Sequence, residues 1–211
     1  MKKLLIIALL SYGAYNYFVK SASLNSFDSA GNPITILFTI NNCPPCDEAR
    51  RYLNKRKIDF QEYNINEDGN DAKSKLRQAG GGRNFPYLMS GDQSIAIYSK
   101  AMYTGFFAEL FGSDFLSPLE RRLLKKNFDS QGRPKLVMYS TTTCGYCTRA
   151  REYFESKNIA FTELYIDSDL TAKQHYDSLE GSGTPLIYIG YSRIDGFDKR
   201  RLKSLIKDKL I

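Results

Sequence analysis

Four cysteines are the side chains of this sequence whose type and spacing could do redox chemistry. They form two Cys-x-x-Cys pairs, Cys43/Cys46 and Cys144/Cys147. A short apolar, β-prone run ends before Cys144, and the residues after it have the periodicity of a helix. A sulfur at a helix N-terminus is favoured as a thiolate, because unpaired backbone N–H groups and the positive end of the helix dipole lie beside it. The second sulfur, one turn later, could resolve a mixed disulfide, so the arrangement indicates thiol–disulfide exchange.

Other uses of the four cysteines remain open at this point. The two pairs could together bind zinc, a pair could ligate an iron–sulfur cluster, and either pair could be a structural disulfide. A structural disulfide framework would scatter its cysteines instead of pairing them. The chain has one histidine, His175, and no tryptophan, so a Cys/His metal site has little material. We predict redox-active cysteines with no metal site and no further cofactor, and His175 as a solvated helix residue.

An internal repeat relates the two cysteine pairs. Residues 27–33 match residues 128–134 in Phe-Asp-Ser, Gly and Pro, at an offset of 101 residues. The same offset relates Cys43/Cys144, Cys46/Cys147, Ala49/Ala150, Arg50/Arg151, Tyr52/Tyr153, Ile58/Ile159, Phe60/Phe161, Glu62/Glu163 and Ile65/Ile166. A constant offset over about 40 residues indicates a duplication, so each repeat is predicted to be one complete fold.

Each repeat has the same coarse order of predicted elements. A turn and a proline lead into a strand, the Cys-x-x-Cys opens a helix, and a second strand and a polar helix follow. A third strand that begins with proline, a fourth strand and a terminal helix complete the repeat. Strands that alternate with helices imply a central sheet covered by helices.

We predict two domains, over residues 27–113 and 128–211, with residues 114–127 as the linker between them. Within the linker, Ser117, Pro118 and Glu120 are typical of a helix start. Serine takes the N-cap, proline the first helical position and glutamate the third. The linker is therefore predicted to be helical.

Residues 1–23 are the predicted export segment. Lysines precede an apolar run from Leu4 to Val19, as in the n-region and h-region of a signal peptide. The run is slightly short for a membrane span of about 20 residues. A cleaved signal peptide, an uncleaved anchor formed by residues 4–19 and a buried core helix remain open.

In both export interpretations, the N-terminal lysines stay in the cytoplasm and the domains cross the membrane. We therefore predict an exported protein, periplasmic or otherwise extracytoplasmic, which is attached to the inner membrane if residues 4–19 are retained. An anchor also permits an alternative function, that of a membrane-tethered binding module whose cysteines are structural disulfides. Metal or iron–sulfur binding through the cysteine pairs is a further alternative.

The net charge of +7 does not indicate a nucleic-acid partner. Three lysines, Lys2, Lys3 and Lys20, flank the apolar segment. The charge that remains is too small to argue for a phosphate-binding surface. We predict no nucleic acid among the partners.

The order of these motifs resembles the glutaredoxin family within the thioredoxin-like fold. The second repeat carries the closer match, in Cys144-Gly145-Tyr146-Cys147, Gly183-Thr184-Pro185 and Gly196-Phe197-Asp198. The resemblance covers about residues 33–112 and 134–211. It implies an α/β protein with two tandem glutaredoxin-type domains, each a central mixed four-stranded sheet flanked by helices.

The resemblance also implies which residues form the site. In the family, the proline before the third strand is cis and lies beside the active-site sulfurs, and the neighbouring backbone pairs with an extended substrate. The implied catalytic residues are Cys144, Cys147, Cys43 and Cys46. The implied substrate-binding residues are Tyr146, Thr184, Pro185, Gly196, Phe197, Asp198, Phe85 and Pro86.

Several positions depart from the family pattern. The lysine that usually precedes the first cysteine is replaced by Thr141 in the second repeat and by Ile40 in the first. In the first repeat Pro45 replaces the tyrosine, and Gly105-Phe106-Phe107 follows an insertion and lacks the aspartate. We therefore predict protein or peptide thiols and disulfides as partners, with glutathione left open as a co-substrate.

The two cysteine helices are predicted to differ in their chemistry. Pro44 and Pro45 remove two backbone N–H donors beside Cys43. Asp47 and Glu48 then place negative charge in the first turn. Both features disfavour a thiolate at Cys43, so the second pair is predicted to be the stronger oxidant.

Overall fold

The computed structural model describes residues 24–210. The predicted export segment, residues 1–23, lies outside the described residues. The chain divides into two compact units, of which the first ends at Tyr98 and the second begins at Ser99. No helix within residues 24–210 is long and apolar enough to cross a membrane.

The first unit is built around a mixed sheet. Its elements are β1 (Thr35–Thr39), α1 (Pro44–Lys55), β2 (Phe60–Asn64), α2 (Gly69–Gln78), β3 (Tyr87–Ser90) and β4 (Gln93–Ala96). The strand order is β2-β1-β3-β4, with β1 and β2 parallel and the other two pairings antiparallel. Every residue of β1 is buried, which fits a central strand covered on both faces.

The second unit repeats this sheet. Its elements are α3 (Lys100–Phe111), α4 (Pro118–Leu124), β5 (Leu136–Ser140), α5 (Gly145–Ser156), β6 (Phe161–Tyr165), α6 (Leu170–Ser178), β7 (Leu186–Ile189), β8 (Ser192–Asp195) and α7 (Lys199–Lys209). The order β6-β5-β7-β8 and the strand directions match the first sheet. The predicted fold class, two tandem thioredoxin-like domains, is confirmed.

The two faces of β5 explain the layers of the second unit. Successive side chains of a strand point to opposite faces. Leu136 and Met138 pack in one core cluster with Phe154 of α5 and Leu202 of α7. Val137 and Tyr139 pack in the other, which includes Tyr176 of α6, Leu124 of α4 and Ala108 of α3. Helices therefore cover both sides of the sheet.

Helix α3 groups with the second unit, although the first domain is predicted to extend to residue 113. A Cβ atom on Gly105 would overlap the carbonyl oxygen of Tyr191, so α3 approaches the turn before β8 very closely. Glu109 accepts hydrogen bonds from Tyr191 N and Ser192 Oγ at 3.2 Å, and forms an ion pair with Lys209 at 2.7 Å. The boundary between the compact units consequently lies at Tyr98–Ser99.

The predicted helix start in the linker is confirmed. Ser117 is the N-cap of α4, with Pro118 at the first helical position. Ser117 Oγ accepts from Glu120 N at 3.3 Å, and the Glu120 carboxylate accepts from Ser117 N at 2.8 Å. This reciprocal pair satisfies two backbone donors that the first turn would otherwise leave free. Helix α4 ends at Leu124, and a 3₁₀ turn over Lys125–Asn127 follows.

Candidate active site

Each cysteine pair lies at the N-terminus of a helix, as predicted. Cys43 is the N-cap of α1 and Cys144 is the N-cap of α5. The Sγ atom of each accepts a hydrogen bond from the backbone N–H of the second cysteine, at 3.2 Å from Cys46 and 3.1 Å from Cys147. Both pairs are disulfides, with S–S distances of 2.05 and 2.16 Å.

The two sulfurs of each pair differ in accessibility. Cys46 and Cys147 are 0% exposed. Cys43 and Cys144 are only half-buried. A substrate can therefore reach the first sulfur of each pair, while the second lies behind it in the core. This is the division that a nucleophile and a resolving thiol require.

The first turns of α1 and α5 offer different numbers of backbone donors. Pro44 and Pro45 occupy the first two positions of α1, whereas Gly145 and Tyr146 occupy those of α5. Because proline has no N–H group, α1 lacks two donors that α5 presents beside its sulfur. The Tyr146 ring is 57% exposed and lies next to the accessible cysteine in sequence.

The loop before each first cysteine is fixed by a residue beyond the second strand of its unit. Thr142 donates to Asp167 Oδ2 from its backbone N at 2.7 Å and from its hydroxyl at 2.6 Å. These hydrogen bonds lower the pKa of Asp167. In the first unit, Asn41 N donates to Asn66 Oδ1 at 2.8 Å. The same loop is thus held by a carboxylate in one unit and by an amide in the other.

An arginine–glutamate pair holds the cysteine helix of the second unit against its sheet. Arg151 of α5 donates to Glu163 of β6 at 2.7 and 3.0 Å, and Ser140 Oγ donates to the same carboxylate at 2.7 Å. Burial alone would raise the pKa of Glu163, but the hydrogen bonds from Arg151 and Ser140 outweigh it and the pKa is lowered. The pair fixes α5 to β5 and β6 directly behind the cysteines.

The first unit has the same pair in a more exposed form. Arg50 Nε donates to the two Glu62 oxygens at 2.8 and 2.9 Å, and Thr39 Oγ1 donates to Glu62 at 2.6 Å. Arg50 also pairs with Asp47. In the sequence these arginines and glutamates are visible only as repeated residues, with no role assigned. The usable signal was a basic and an acidic residue 12 positions apart in both repeats.

The prolines before the third strands have the predicted conformation. The Phe85-Pro86 and Thr184-Pro185 peptide bonds are both cis. β7 runs antiparallel to β5 with Leu186 opposite Tyr139. The start of β7 therefore lies beside the end of β5, which leads into the Cys144 loop. Thr184 is half-buried there, so part of its surface is open to a ligand.

The Gly196-Phe197-Asp198 segment reaches the same edge of the second sheet. Gly196 N donates to the Pro185 carbonyl oxygen at 2.8 Å. The Phe197 ring packs on Tyr153 of α5 at 6.1 Å between centroids. Asp198 is the N-cap of α7, and its Oδ1 accepts from Arg200 N at 3.0 Å and Arg201 N at 3.1 Å. The structure therefore brings the cysteine helix, the cis-proline strand and this segment together.

The counterpart of this segment in the first repeat is Ile97-Tyr98-Ser99. The prediction that Gly105-Phe106-Phe107 is the counterpart is wrong. Ile97 N donates to the Pro86 carbonyl oxygen at 2.8 Å, as Gly196 N does to Pro185. Ile97 also has a positive φ of 67°, matching 82° at Gly196. Ser99 caps α3 as Asp198 caps α7, whereas Gly105 lies inside α3. The sequence hides this correspondence for two reasons. The repeat offset changes before the third strand, and the position with positive φ is occupied by isoleucine, so no glycine marks it.

The prediction that His175 is a solvated helix residue is also wrong. His175 Nε2 donates to the Leu123 carbonyl oxygen at 2.9 Å, and Nδ1 accepts from the Tyr139 hydroxyl at 2.5 Å. Burial lowers the pKa of His175, and the positive charge of Lys126 lowers it further. Ala172 and Leu179, at i−3 and i+4, are buried on the same face of α6, which was the available signal.

Within residues 24–210, no three side chains of His, Cys, Asp or Glu are grouped so that they could hold a metal ion. The site as it stands is made of two disulfides, each at a helix N-terminus and accompanied by a strand that begins with a cis-proline.

Comparisons with known proteins identify one family and several similar proteins. The glutaredoxin family profile matches residues 35–95 and 136–194, together more than half of the chain. A glutaredoxin-like 8.6 kDa protein in the rubredoxin operon of Clostridium pasteurianum is 38% identical over 73 residues, which are 34% of this chain and 97% of that protein. Glutaredoxin 3 of Escherichia coli K12 is 36% identical over 62 residues, 29% of this chain and 75% of its own length. The crystal structure of a glutaredoxin from Archaeoglobus fulgidus aligns with a TM-score of 0.33 and 26% identity, over 36% of this chain and 90% of that one.

Proposed function

Because the chain belongs to the glutaredoxin family, we propose that it is a thiol–disulfide oxidoreductase acting on protein or peptide disulfides. One observation carries this function in both units. The first cysteine of each pair caps a helix and is accessible, and the second is 0% exposed directly behind it. A structural disulfide has no need of an accessible sulfur at a helix N-terminus.

The exchange follows from this placement. In the reducing direction, the Cys144 thiolate attacks one sulfur of a substrate disulfide, forms a mixed disulfide and releases a substrate thiolate, which takes up a proton. Cys147 then loses its proton and attacks the Cys144 sulfur, which releases the second substrate thiol. Two electrons pass to the substrate, and the protein is left with the disulfide seen in the structure. The reverse sequence oxidises a substrate dithiol.

The other site residues would position the substrate. The half-open backbone at Thr184, beside the cis-proline strand, would pair with an extended substrate chain, as would Phe85 in the first unit. The exposed Tyr146 ring would contact the residues next to the reacting sulfur. Asp198 is already engaged as a helix cap, so its remaining carboxylate oxygen is the atom free for a substrate amine. Glutathione remains a proposed alternative substrate at this site.

Export is the proposed setting of this activity. Disulfide exchange with folded substrates is most useful in an oxidising compartment, where disulfides persist. The support is the apolar run from Leu4 to Val19 with lysines before it. A reporter fused after Ile211 should be active only outside the cytoplasm, and a mature protein that starts near Leu24 would indicate cleavage.

Trapping of the mixed disulfide tests the function. The full chain with Cys147→Ala and Cys46→Ala, once reduced, should react with a peptide disulfide and retain one peptide on Cys144 and one on Cys43, measured by mass. Cys144→Ala and Cys43→Ala variants are the matched controls and should retain none. If neither cysteine captures a peptide, or if the wild-type pairs stay oxidised at about −300 mV, the disulfides are structural and the binding-module alternative is correct.

A further inference from the structure

An aromatic and cationic surface extends from the accessible Cys144 along α5. Tyr146, Arg149 and Tyr153 lie on one face of the helix, at i, i+3 and i+7. The Arg149 guanidinium lies over the Tyr146 ring, 4.2 Å from its centroid. Lys199 Nζ lies 5.5 Å from the centroid of the Tyr153 ring, which also packs on Phe197. The surface beside Cys144 is therefore continuous with the first turn of α7.

The first turn of α7 is unusually basic. Lys199, Arg200 and Arg201 are its first three residues, and all three are exposed. Cations are disfavoured at this end of a helix, because the helix dipole is positive there. The three positive charges consequently lower the stability of α7, so they do not contribute to helix formation.

Three of these cations are free to meet a ligand. Arg149, Lys199 and Arg200, which we call the cationic stripe, form no ion pair with any residue in the range 24–210. Arg201 is excluded from the stripe, because desolvation lowers the pKa of its guanidinium and the Asp195 and Asp198 carboxylates offset only part of this effect. Asp198 caps the helix and Asp195 pairs with Arg193, and neither forms an ion pair with the stripe. Glu152 is exposed on the next turn of α5 without pairing to Arg149.

The first repeat keeps two of the aromatic residues and one of the three cations, Lys100, which is paired with Glu180. Tyr52 and Tyr98 correspond to Tyr153 and Phe197, and their rings are 6.2 Å apart. The counterpart of Arg149 is the exposed Glu48. Lys199 and Arg200 correspond to Lys100 and Ala101. The fold thus forms without the stripe, and the charge beside the cysteine has the opposite sign.

We propose that the second unit selects disulfides in acidic polypeptide segments, whose carboxylates bind the cationic stripe while the substrate cysteine reacts with Cys144. This selection builds on the proposed exchange reaction and names its substrate class. Arg149 is five residues along α5 from Cys144, or about 7 to 8 Å at 1.5 Å per residue. An extended peptide covers that distance in about two to three residues. The first selected carboxylate therefore lies about two or three positions from the reacting cysteine, and others follow toward Lys199 and Arg200.

Matched peptide disulfides test the selection. The full chain with Cys43→Ser and Cys46→Ser leaves Cys144/Cys147 as the reacting pair. Its exchange rate is measured with three peptides of equal length, which carry glutamate, glutamine or lysine at positions two to five from the cysteine. We expect the glutamate peptide to react about tenfold faster than the glutamine peptide at low salt, and the difference to vanish at about 1 M salt. The lysine peptide should be slowest.

Charge-neutralising variants locate the preference. Arg149→Gln with Arg200→Gln should bring the rates with the three peptides together, so that the ratio of the glutamate rate to the glutamine rate falls to about one. The matched control is Lys157→Gln with Lys207→Gln, which removes the same charge from exposed positions at the far ends of α5 and α7. The control should keep the preference for glutamate.

The outcomes separate the two proposals. If no peptide reacts with Cys144, the oxidoreductase function itself fails. If all three react at equal rates, or if the control loses the preference as fully as the stripe variant, exchange stands and the selection is overturned. Binding of anionic lipid vesicles through the stripe, without any preference among peptides, would also overturn it.

Discussion

In both units an arginine of the cysteine helix is held by a glutamate of the second strand, yet the groups around the first sulfur differ. Arg151–Glu163 and Arg50–Glu62 each bind a hydroxyl of the central strand as a third member. The residues that begin α1 are prolines followed by acids, whereas α5 begins with two N–H donors followed by an arginine.

The shared fold therefore fixes the position of the sulfurs, while the residues around them can vary and change their chemistry. The ion pair and the cis-proline strand are retained in both copies because they place the helix. The helix N-terminus lies at the surface, where substitution costs little packing energy, so its donors and charges could diverge after duplication. The two pairs are therefore expected to differ in redox potential while sharing one geometry.

The largest expected effect concerns the ion pair behind each cysteine helix. Glu163 is 11% exposed and Glu62 is 28% exposed, and Arg50 keeps Asp47 as a second acidic partner, so loss of the carboxylate costs more in the second unit. Glu163→Gln should lower the free energy of unfolding of the second unit by about 2 to 3 kcal/mol. Glu62→Gln should cost the first unit about 1 kcal/mol. Hydrogen exchange of the β5–β6 and β1–β2 amides in the full chain measures each unit separately, and equal losses would contradict the comparison.

The next effect concerns the attachment of α3 to the second unit. A methyl group on Gly105 would overlap a backbone oxygen that cannot move aside easily. Gly105→Ala should therefore destabilise the second unit by about 2 kcal/mol, the range of overpacking changes. The corresponding residue of α7 is Ser204, which is exposed, and Ser204→Ala should change stability by less than about 0.5 kcal/mol. A neutral Gly105→Ala would mean that α3 does not depend on this contact.

The N–H donors of the cysteine helices give a smaller effect. Pro44→Gly with Pro45→Tyr gives α1 the two donors and the residues of α5. The first pair should then become a stronger oxidant by up to about tenfold in its exchange equilibrium with glutathione, since a stabilised thiolate favours the reduced state. The reciprocal change, Gly145→Pro with Tyr146→Pro, should weaken the second pair. An unchanged equilibrium in both variants would assign the difference to the side-chain charges instead.

The smallest effect is a pH dependence that belongs to the second unit alone. Burial, and then Lys126, lower the pKa of folded His175 below its usual value. The unfolded chain therefore binds a proton first as pH falls, so stability is complete above about pH 6.5 and declines below it. Lys75 takes this position in the first repeat, since Gly81 contacts Leu76 as Gly181 contacts Tyr176. His175→Gln should remove the decline in the hydrogen-exchange stability of the second unit between about pH 6.5 and 5, and a decline that persists would contradict it.

Much of the fold could be predicted from the sequence because its signals are local or repeated. The constant offset through Cys43 and Cys144 predicts two copies of one sheet, and Ser117 with Glu120 predicts the start of α4. The cysteines could be placed for the same reason, since their strand and helix adjoin them in sequence.

The misses depend on contacts between residues far apart in sequence. Helix α3 belongs to the second unit because Gly105 packs closely against the Tyr191 carbonyl oxygen. No local sequence pattern shows this contact. Arg193 is charged, yet it is 4% exposed, because Asp195 and the carbonyl oxygens of Leu179 and Glu180 bind its guanidinium. His175 is similar, as its partners Tyr139 and Leu123 come from β5 and α4. Polar residues with distant partners resemble surface residues in a sequence.

One charge near Cys144 opposes the stabilisation of its thiolate. Asp167 adds a carboxylate near the Cys144 loop, where the first unit has the neutral Asn66. That carboxylate is solvent-exposed and bound to Thr142, so water screens its effect on the sulfur. Gly145 and Tyr146 add two N–H dipoles to the first turn of α5 that the prolines of α1 cannot supply. We therefore expect the donors to determine the order of the two potentials.

The redox equilibria of the two pairs, measured within one chain, test whether the second pair is the stronger oxidant. The full protein is equilibrated with glutathione buffers of increasing reducing strength, and the thiols of each pair are counted by alkylation and peptide mass. Cys144/Cys147 should be half reduced at a squared-thiol to disulfide ratio about tenfold lower than Cys43/Cys46. Equal midpoints, a first pair that is reduced before the second, or a pair that resists reduction throughout would contradict it.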